Sequence, residues 1–304
     1  MRIVLVGQGP FGEKVLEALI KRGEEVVGVF SPPDKRGEGM GGLAEKSKIA
    51  SFRPNQMKEA QVHNQFKELQ PDLVILAFVT DIIPERLLAL ASIGTICYHP
   101  SLLPRHRGAS GINWAIIQGD TRTGLTILWA HKGIDTGPIL LQKEVEIGPD
   151  DTTGSLYFNA LFPMGIDAIV EAVELIKRGK APRIAQDESK ATYEPPCDDW
   201  VASIDFEKPA KDVYNLVRGC DPQPGAFTTF RGKKVRFYDA GLTALDSGKG
   251  PGEAVAFEEG SIQIAVKGGL LKVGKLRIEK GEKVGPTEFA KQAGLKVGDR
   301  FGNE

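Results

Sequence analysis

Four strand-like apolar runs, separated by longer stretches, constrain the fold of this chain more than any other feature. They are residues 2–6 (RIVLV), 25–30 (EVVGVF), 73–79 (LVILAFV) and 94–99 (GTICYH). Strands that are apolar on both faces are typical of parallel sheets, which helices cover on both sides. The sequence therefore predicts an α/β fold with a Rossmann-like, mostly parallel sheet.

The segments outside these strands are predicted to be helices or loops. The stretch after the first strand has apolar residues at helical spacing, and the polar stretch 57–70 is also helix-like. Residues 31–43 combine Pro, Gly, Lys and Arg and predict a flexible loop. Farther on, 152–178 has the spacing of a long helix, which Pro163 should kink or split.

The pattern changes in the second half of the chain. Two further strands, 125–131 and 138–146, are joined by a short loop, and 181–203 mixes Pro with charges, as linkers do. From 204 onward one helix is followed by short strands with Gly between them, which predicts a small β-barrel-like domain. We therefore expect a domain at 1–180, a linker at 181–203 and a C-terminal domain at 204–304.

Charge and cysteine content narrow the class of protein. The 39 Lys and Arg residues nearly balance the 40 Asp and Glu residues, so no bulk charge favours nucleic acid or a membrane. Three cysteines are too few, and odd in number, for a disulfide framework. No signal-peptide pattern and no run of about 18 apolar residues is found. We expect a soluble, cytoplasmic protein with no membrane partner.

The motif Gly7-x-Gly9-x-x-Gly12 matches the dinucleotide-binding fingerprint in a strand-turn-helix context. Two features argue against a nicotinamide site. Pro10 removes an amide that would face a pyrophosphate, and an acidic residue follows the second strand only at Asp34, after two prolines. The alternative is that these glycines permit a tight turn and close helix packing.

His99 is the strongest candidate for chemistry, because it ends a buried strand and begins a Pro-rich, basic loop. Ligands of open parallel sheets bind beyond the carboxyl ends of the strands, where an imidazole can act as a general acid or stabilise an oxyanion. The alternative is a structural histidine. His106 and His131 are more typical of solvated or structural histidines.

Asp135 lies in a Gly-flanked loop (GIDTG) that could bring a carboxylate to close range, although Asp is also common in plain turns. Cys97 and His99 share one face of a strand, so a Cys–His nucleophile pair is conceivable, but a structural thiol is more typical. The spacing of the histidines and Asp135 matches no zinc pattern, and we predict no metal.

These residues carry a resemblance to a known family. The chain resembles the 10-formyltetrahydrofolate-using formyltransferases, and within them the hydrolase domain of 10-formyltetrahydrofolate dehydrogenase. The matching segments are 7–12, 26–30, 33–35, 98–110 (YHPSLLPRHRGAS), 112–114, 119–120, 135–137 (DTG), 140–144, 191–194 (ATYE), 218–219 and 224–226. They cover nearly the whole chain, and the combination of HPSLLP with DTG is highly specific.

The resemblance implies a formyl-transfer domain followed by a small OB-like barrel, with 10-formyltetrahydrofolate as one-carbon donor and no NAD. The catalytic His and Asp of the family fall on His99 and Asp135. The residues implied in folate binding are the loop after the fourth strand, the turn after His99, and the loop that closes over the formyl group: Asp81, Ile82, Ile83, Ser101, Leu102, Leu103, Pro104, Gly133, Thr136 and Gly137.

One position departs from the family pattern. Transferases of this family carry Asn two residues before the catalytic His, and this chain has Cys97 there. An amide at that position is an oxyanion-hole donor, so its absence puts efficient transfer to an amine in doubt. Either His99 stabilises the oxyanion alone, or Cys97 has an accessory role.

Several formyl acceptors fit this chemistry. We favour water or a thiol carrier acting in trans, as in a 10-formyltetrahydrofolate hydrolase. Methionyl-tRNA formylation is the second candidate, but it needs a basic face, and residues 204–304 hold 17 Lys and Arg against 14 Asp and Glu. A small amine such as an amino sugar is the third. A folate-storage protein without enzymatic activity is the alternative of a different class.

Overall fold

Seven strands of the N-terminal half form one sheet in a computed structural model that describes residues 1–258 and 260–302. The spatial order is β3-β2-β1-β4-β5-β6-β7. The bounds are β1 (Ile3–Gly7), β2 (Val26–Phe30), β3 (Ala50–Phe52), β4 (Leu73–Ala77), β5 (Gly94–His99), β6 (Arg122–Trp129) and β7 (Ile139–Glu146). The first five strands are parallel and β6 runs antiparallel to β5, which confirms the predicted mostly parallel sheet.

Helices lie between and after these strands along the chain. They are α1 (Gly9–Lys21), α2 (Lys35–Lys46), α3 (Ala60–Leu69), α4 (Glu85–Leu88), α5 (Gly111–Ile117), α6 (Thr153–Leu156) and α7 (Phe162–Lys177). Successive side chains of β1 point to opposite faces of the sheet. Both faces are buried, which explains why the strand is apolar throughout. Ile3 and Leu5 belong to the core cluster that contains α1 and α7, whereas Val4 and Val6 belong to the cluster that contains α3.

The prediction of a flexible loop at 31–43 is wrong, because most of this segment belongs to helix α2. Asp34 caps this helix by accepting a hydrogen bond from the main-chain N–H of Arg36 at 2.9 Å. Met40 and Ala44 are fully buried on its inner face. A Cβ at Gly37 would lie 2.0 Å from the Pro32 oxygen. The glycine therefore permits close packing here, and burial of the apolar face outweighs the low helix propensity of the segment.

The long helix predicted at 152–178 is divided before Pro163. A π-helical turn, Tyr157–Leu161, separates α6 from α7, and Pro163 occupies the first turn of α7, where no main-chain donor is lost. By length and composition alone the stretch Thr153–Lys177 could cross a membrane, which the sequence analysis did not anticipate. Buried residues of α7 belong to the core cluster of the sheet, which accounts for their apolar character.

The C-terminal part contains an antiparallel sheet with the order β10-β11-β12-β9-β8. The bounds are β8 (Ala226–Phe230), β9 (Lys233–Thr243), β10 (Ala254–Glu258), β11 (Ser261–Val266) and β12 (Gly269–Ile278), with helices α8 (Ala210–Gly219) and α9 (Pro286–Ala293). Its own core includes Phe237, Phe289 and Phe301.

The predicted barrel is not closed by its strands. Within the described residues no ladder joins β8 to β10. Instead, residues 298–302 span the two edges: Gly298 and Asp299 exchange main-chain hydrogen bonds with Ala254, and the N–H of Gly302 donates to Thr229 at 2.9 Å. Residues 298–302 therefore satisfy main-chain groups at both edges of the sheet.

The chain divides into two units that each consist of several segments. One comprises 1–111, 124–145 and 158–194, and the other comprises 112–123, 146–157 and 195–304. Each is described here by itself. The domain boundaries expected from the sequence, at 180 and 204, stay a prediction.

Candidate active site

His99 is the last residue of β5, and its ring is held in a defined orientation. Its side chain is 5% exposed. Nε2 lies 2.8 Å from the main-chain oxygen of His106. Because a carbonyl oxygen can only accept, Nε2 must carry a proton. The other ring nitrogen, Nδ1, lies 3.4 Å from Oδ2 of Asp135. The structure thus brings together the two residues that the sequence predicts to be catalytic.

The loop between β6 and β7 presents Asp135 in an unusual backbone conformation. Asp135 has φ of 55°, in the left-handed region that non-glycine residues rarely adopt. Its Oδ2 accepts a hydrogen bond from the main-chain N–H of Gly108 at 2.9 Å. A Cβ at Gly137 would lie 1.7 Å from the Trp129 oxygen, so the loop can pass this close to β6 only with glycine there. The carboxylate is therefore aimed by the main chain of two loops.

Two residues that follow His99 hold the loop that orients it. His106 is buried, and its Nδ1 lies 3.1 Å from Oε1 of Glu194. The guanidinium of Arg107 is fully buried and contacts Gln186, Glu188 and the Tyr193 hydroxyl. The hydrogen bonds to Glu188 raise the pKa of Arg107. Buried charge of this kind needs such partners, so this cluster fixes the loop.

These partners were not predicted from the sequence as site residues. They are 79 to 88 residues away along the chain, so no local spacing connects them to the loop. One signal was available, because residues 191–194 (ATYE) belong to the resemblance. His106 is thus a buried structural histidine. His131 is exposed and contacts the main-chain oxygen of its neighbour Lys132.

Cys97 lies two residues before His99 on the same strand. Burial, and to a smaller extent the Asp135 carboxylate, raises the pKa of its thiol well above the ordinary range. Its Sγ donates to the oxygen of Tyr98 at 3.5 Å. A thiol that stays protonated is a poor nucleophile, so these surroundings disfavour the Cys–His pair.

The turn after His99 is fixed by internal hydrogen bonds. The hydroxyl of Ser101 donates to the Arg105 oxygen, and the oxygen of Leu103 accepts from Gln142. Thr126 donates to the Ser101 oxygen at 2.7 Å. Ser101 and Leu103 are buried, whereas Leu102 and Pro104 are half-buried. The turn therefore offers a ligand chiefly the surfaces of Leu102 and Pro104.

The other predicted folate residues lie in two loops. Asp81, Ile82 and Ile83 follow β4, which is the parallel neighbour of β5, so they share its carboxyl edge. Ile82 exposes 80% of its surface. Gly133, Thr136 and Gly137 lie in the Asp135 loop, where the Thr136 hydroxyl donates to the oxygen of Lys132 at 3.4 Å.

A cavity of about 230 Å³ opens at the carboxyl ends of β1, β2 and β4. Its polar lining residues are Gln8, Ser31, Asp34, Arg36, Asn55, Thr80 and Asp81. Gly7 of the glycine motif also lines it. Gly9 has φ of 61°, and a Cβ at Gly12 would lie 3.2 Å from the Gly7 carbonyl carbon, so this motif serves a tight turn and close helix packing. The described residues contain no group of three His, Cys, Asp or Glu side chains that could hold a metal ion.

Comparison with known sequences identifies the class of protein to which this sheet and its loops belong. The formyl transferase family matches residues 1–173, and its C-terminal domain matches residues 200–294. The chain belongs to the formyl transferase family.

Among the relatives is the human cytosolic 10-formyltetrahydrofolate dehydrogenase, which is 40% identical over 98% of this chain. The chain spans 35% of that protein, and about a third of the other dehydrogenases it matches, such as that of Xenopus tropicalis. Methionyl-tRNA formyltransferase of Alkaliphilus oremlandii is 31% identical, over 99% of this chain and 100% of its own length.

Solved structures share the fold at lower identity. HypX from Aquifex aeolicus in complex with tetrahydrofolic acid has a TM-score of 0.71 and 23% identity, covering 98% of this chain and 48% of its own. An N-formyltransferase from Helicobacter canadensis, in complex with folinic acid and dTDP-3-aminofucose, has a TM-score of 0.68 and 17% identity, covering 93% of this chain and 99% of its own.

Proposed function

We propose that this chain releases the formyl group of 10-formyltetrahydrofolate to give tetrahydrofolate, with water or a thiol carrier in trans as acceptor, and that His99 and Asp135 carry the chemistry. The observation that carries the proposal is the 3.4 Å approach of Nδ1 of His99 to Oδ2 of Asp135 at the end of β5. The identity of 38–40% to 10-formyltetrahydrofolate dehydrogenases, over at least 95% of this chain, supports the choice of substrate.

The proposed reaction begins with attack of the nucleophile on the formyl carbon. Asp135 takes up the proton of the attacking water or thiol, directly or through a second water. The carbonyl oxygen becomes an oxyanion, and protonated His99 stabilises it. The bond from carbon to N10 then breaks as the imidazolium gives its proton toward N10. Formic acid, which ionises to formate in solution, or a formyl thioester leaves with tetrahydrofolate. Asp135 then passes the proton that it took up to Nδ1 of His99, which restores both side chains.

The geometry around His99 suits these roles. Its Nε2 proton is already used by the His106 oxygen, so the exchangeable proton belongs on Nδ1, beside the carboxylate. Both side chains are largely buried, at 6% and 16% exposure. A low effective dielectric strengthens the interaction of a cation with a developing oxyanion.

For the folate itself we propose the loop Asp81–Ile83 as the pterin contact, made mostly through its backbone. An isoleucine as exposed as Ile82 offers an apolar surface to a flat ring. Leu102 and Pro104 would line the opposite side, and Gly133, Thr136 and Gly137 would close over the formyl group.

Methionyl-tRNA formylation is a second candidate, supported by the full-length match to the Alkaliphilus oremlandii enzyme. Sites that bind tRNA rely on phosphate contacts, and the excess of 17 cations over 14 acids in residues 204–304 is small. We therefore rank this candidate below deformylation.

The proposal is tested by incubating the protein with 10-formyltetrahydrofolate and measuring tetrahydrofolate by liquid chromatography. Parallel reactions contain buffer alone, a small thiol, charged initiator tRNA, or an amino sugar nucleotide. Product in buffer or with thiol supports the proposal. Product only with tRNA favours the second candidate, and product only with the amino sugar indicates an amine transferase. Folate binding with no turnover in any reaction would contradict an enzymatic role.

A further inference from the structure

The amide of Gln186 connects the two loops that form the candidate active site. Its Nε2 donates to the main-chain oxygens of Asp135 and Gly137, each at 2.7 Å. Its Oε1 accepts from Arg107 at 2.7 Å and 3.2 Å. A guanidinium only donates and a carbonyl only accepts, so the orientation of this amide is fixed by its partners. One side chain thus ties the Asp135 loop to the loop that orients His99.

The rest of the segment 184–194 holds the second loop in place. Thr192 exchanges main-chain contacts with this loop: its oxygen accepts from Arg107, and its N–H donates to the Pro104 oxygen, both at 3.1 Å. The hydroxyl of Thr192 also accepts from the N–H of His106 at 2.8 Å. Because His106 supplies the oxygen that orients His99, this segment acts on the histidine as well as on the aspartate.

Backbone strain shows why such support is needed. His106 and Asp135 have φ of 57° and 55°, although neither is glycine. A left-handed residue of this kind is strained, and it persists only where surrounding contacts over-determine its conformation. At Asp135, Gln186 binds the residue's own carbonyl oxygen, and Gly108 binds its carboxylate.

We propose that Gln186 is a positioning residue for the formyl-releasing reaction, which sets the approach of Asp135 to His99 without touching the substrate. This inference rests on the function proposed above. It assigns a role in turnover to residue 186, which lies in the segment predicted from the sequence to be a linker (181–203). Without the two donated hydrogen bonds, Asp135 can relax from its left-handed conformation, and the carboxylate moves away from Nδ1.

The test compares Gln186→Met, which keeps the length of the side chain, with Gln186→Glu, which keeps the acceptor for Arg107 but loses both donors. Lys190→Ala is the matched control on the same segment, since Lys190 is exposed and pairs with Asp187. We expect Gln186→Met to lower kcat at least about 10-fold with KM changed by less than about threefold, because ground-state binding is untouched. Lys190→Ala should match the wild type.

The Glu variant gives a readout that a purely structural role would not move. A carboxylate repels the oxygens of Asp135 and Gly137, whereas a protonated carboxyl regains one donor. Arg107 lowers the pKa of Glu188, so the carboxyl introduced at 186, which faces the same guanidinium, should stay ionised near neutral pH. We therefore expect Gln186→Glu to lower kcat more than Gln186→Met does, because it replaces two donated hydrogen bonds by repulsion. Equal losses in the two variants would overturn the inference, and so would a wild-type kcat in Gln186→Met.

A double-mutant cycle separates this inference from the proposed function. If Gln186 acts through Asp135, then adding Gln186→Met to Asp135→Asn should cost little further activity. Multiplicative losses would overturn the inference even if either single variant is poorly stable. If the wild type shows no turnover, or His99→Ala is fully active, the proposed function itself fails. If turnover depends on His99 but not on Gln186, only the positioning role fails.

Discussion

Nε2 of His99 donates to the main-chain oxygen of His106, and this contact decides which ring nitrogen faces the substrate. The distance is 2.8 Å, and the acceptor belongs to a loop fixed by buried ionic groups. Neutral His99 should therefore be the Nε2–H tautomer, which leaves the lone pair on Nδ1.

Long-range proton–nitrogen NMR correlations measure this tautomer directly. With ¹⁵N-labelled histidine, we expect a protonated Nε2 and an unprotonated Nδ1 for His99 in its neutral form. His131, whose Nδ1 faces the main-chain oxygen of Lys132 at 2.6 Å, should show the opposite tautomer. A protonated Nδ1 in neutral His99 would contradict the arrangement.

Removal of either candidate catalytic group should abolish turnover while folate still binds. General acid–base catalysis contributes roughly 10²–10⁴-fold, so we expect losses of that order in kcat for His99→Ala and for Asp135→Asn. Binding of tetrahydrofolate, measured by calorimetry, should change by less than about threefold. His131→Ala is the control and should keep full activity. A fully active His99→Ala variant would defeat the assignment.

Cys97 should be dispensable for deformylation. Its surroundings hold the thiol protonated, so it can act neither as a thiolate nor as a base. We expect Cys97→Ala to keep kcat within about threefold, since the lost group is weakly hydrogen-bonding. Cys97→Asn restores the amide that transferases of the family carry, and it should raise transfer to an amine acceptor. A loss of more than tenfold in the Ala variant would instead assign Cys97 a chemical role.

The parallel sheet could be predicted from the sequence because each strand is apolar on both faces, as Ile3 and Val4 show by packing into different clusters. Helix α2 could not. Its glycines resemble those of a loop, and only the three-dimensional neighbours of Gly37 explain why they are tolerated in a helix. The barrel was predicted from short strands separated by Gly and from the family resemblance, and neither determines whether the strands of a sheet close on each other.

The candidate site, too, could be predicted only in part from the sequence. The sequence indicates His99 from its place at a strand end, and the family resemblance pairs it with Asp135. No signal in the sequence indicates Gln186, and Glu194 is marked only by its place in the matching segment 191–194. Their contacts join residues that the fold brings together from far apart in the chain. A glutamine in a segment rich in charge and proline is typical of a linker.

The pair Arg107–Glu188 should make stability depend on acid pH. The hydrogen bond from Arg107 lowers the pKa of Glu188 below its usual 4.5 in the folded state. A lowered folded-state pKa stabilises the protein above the unfolded pKa, and this contribution is lost as pH falls through the folded value. The effect should be small, because Glu188 is mostly exposed.

Urea unfolding of the wild type and Glu188→Gln, at neutral pH and below pH 4.5, measures this contribution. The wild type should be the more stable of the two at neutral pH, and the difference should shrink on acidification. A difference that is equal at both pH values would indicate that charge is not involved.

Thiol reactivity should distinguish the three cysteines. The sulfurs of Cys197 and Cys220 lie 3.7 Å apart. The hydrogen bond from the Cys220 thiol lowers the pKa of Cys197, whereas this bond, and after it burial, raises the pKa of Cys220. Iodoacetamide at neutral pH should therefore alkylate Cys197 first, as measured by peptide mass spectrometry. Faster labelling of Cys97 would contradict the raised pKa of its thiol.

The position of the segment 184–194 has a practical consequence for truncated forms of this protein. The formyl transferase match ends at residue 173 and α7 ends at Lys177, so either would be a natural place to cut a catalytic fragment. Such a fragment would contain His99 and Asp135, yet it would leave Arg107 buried without its counter-charge and both left-handed residues unsupported. A fragment intended to retain turnover should extend at least through Glu194.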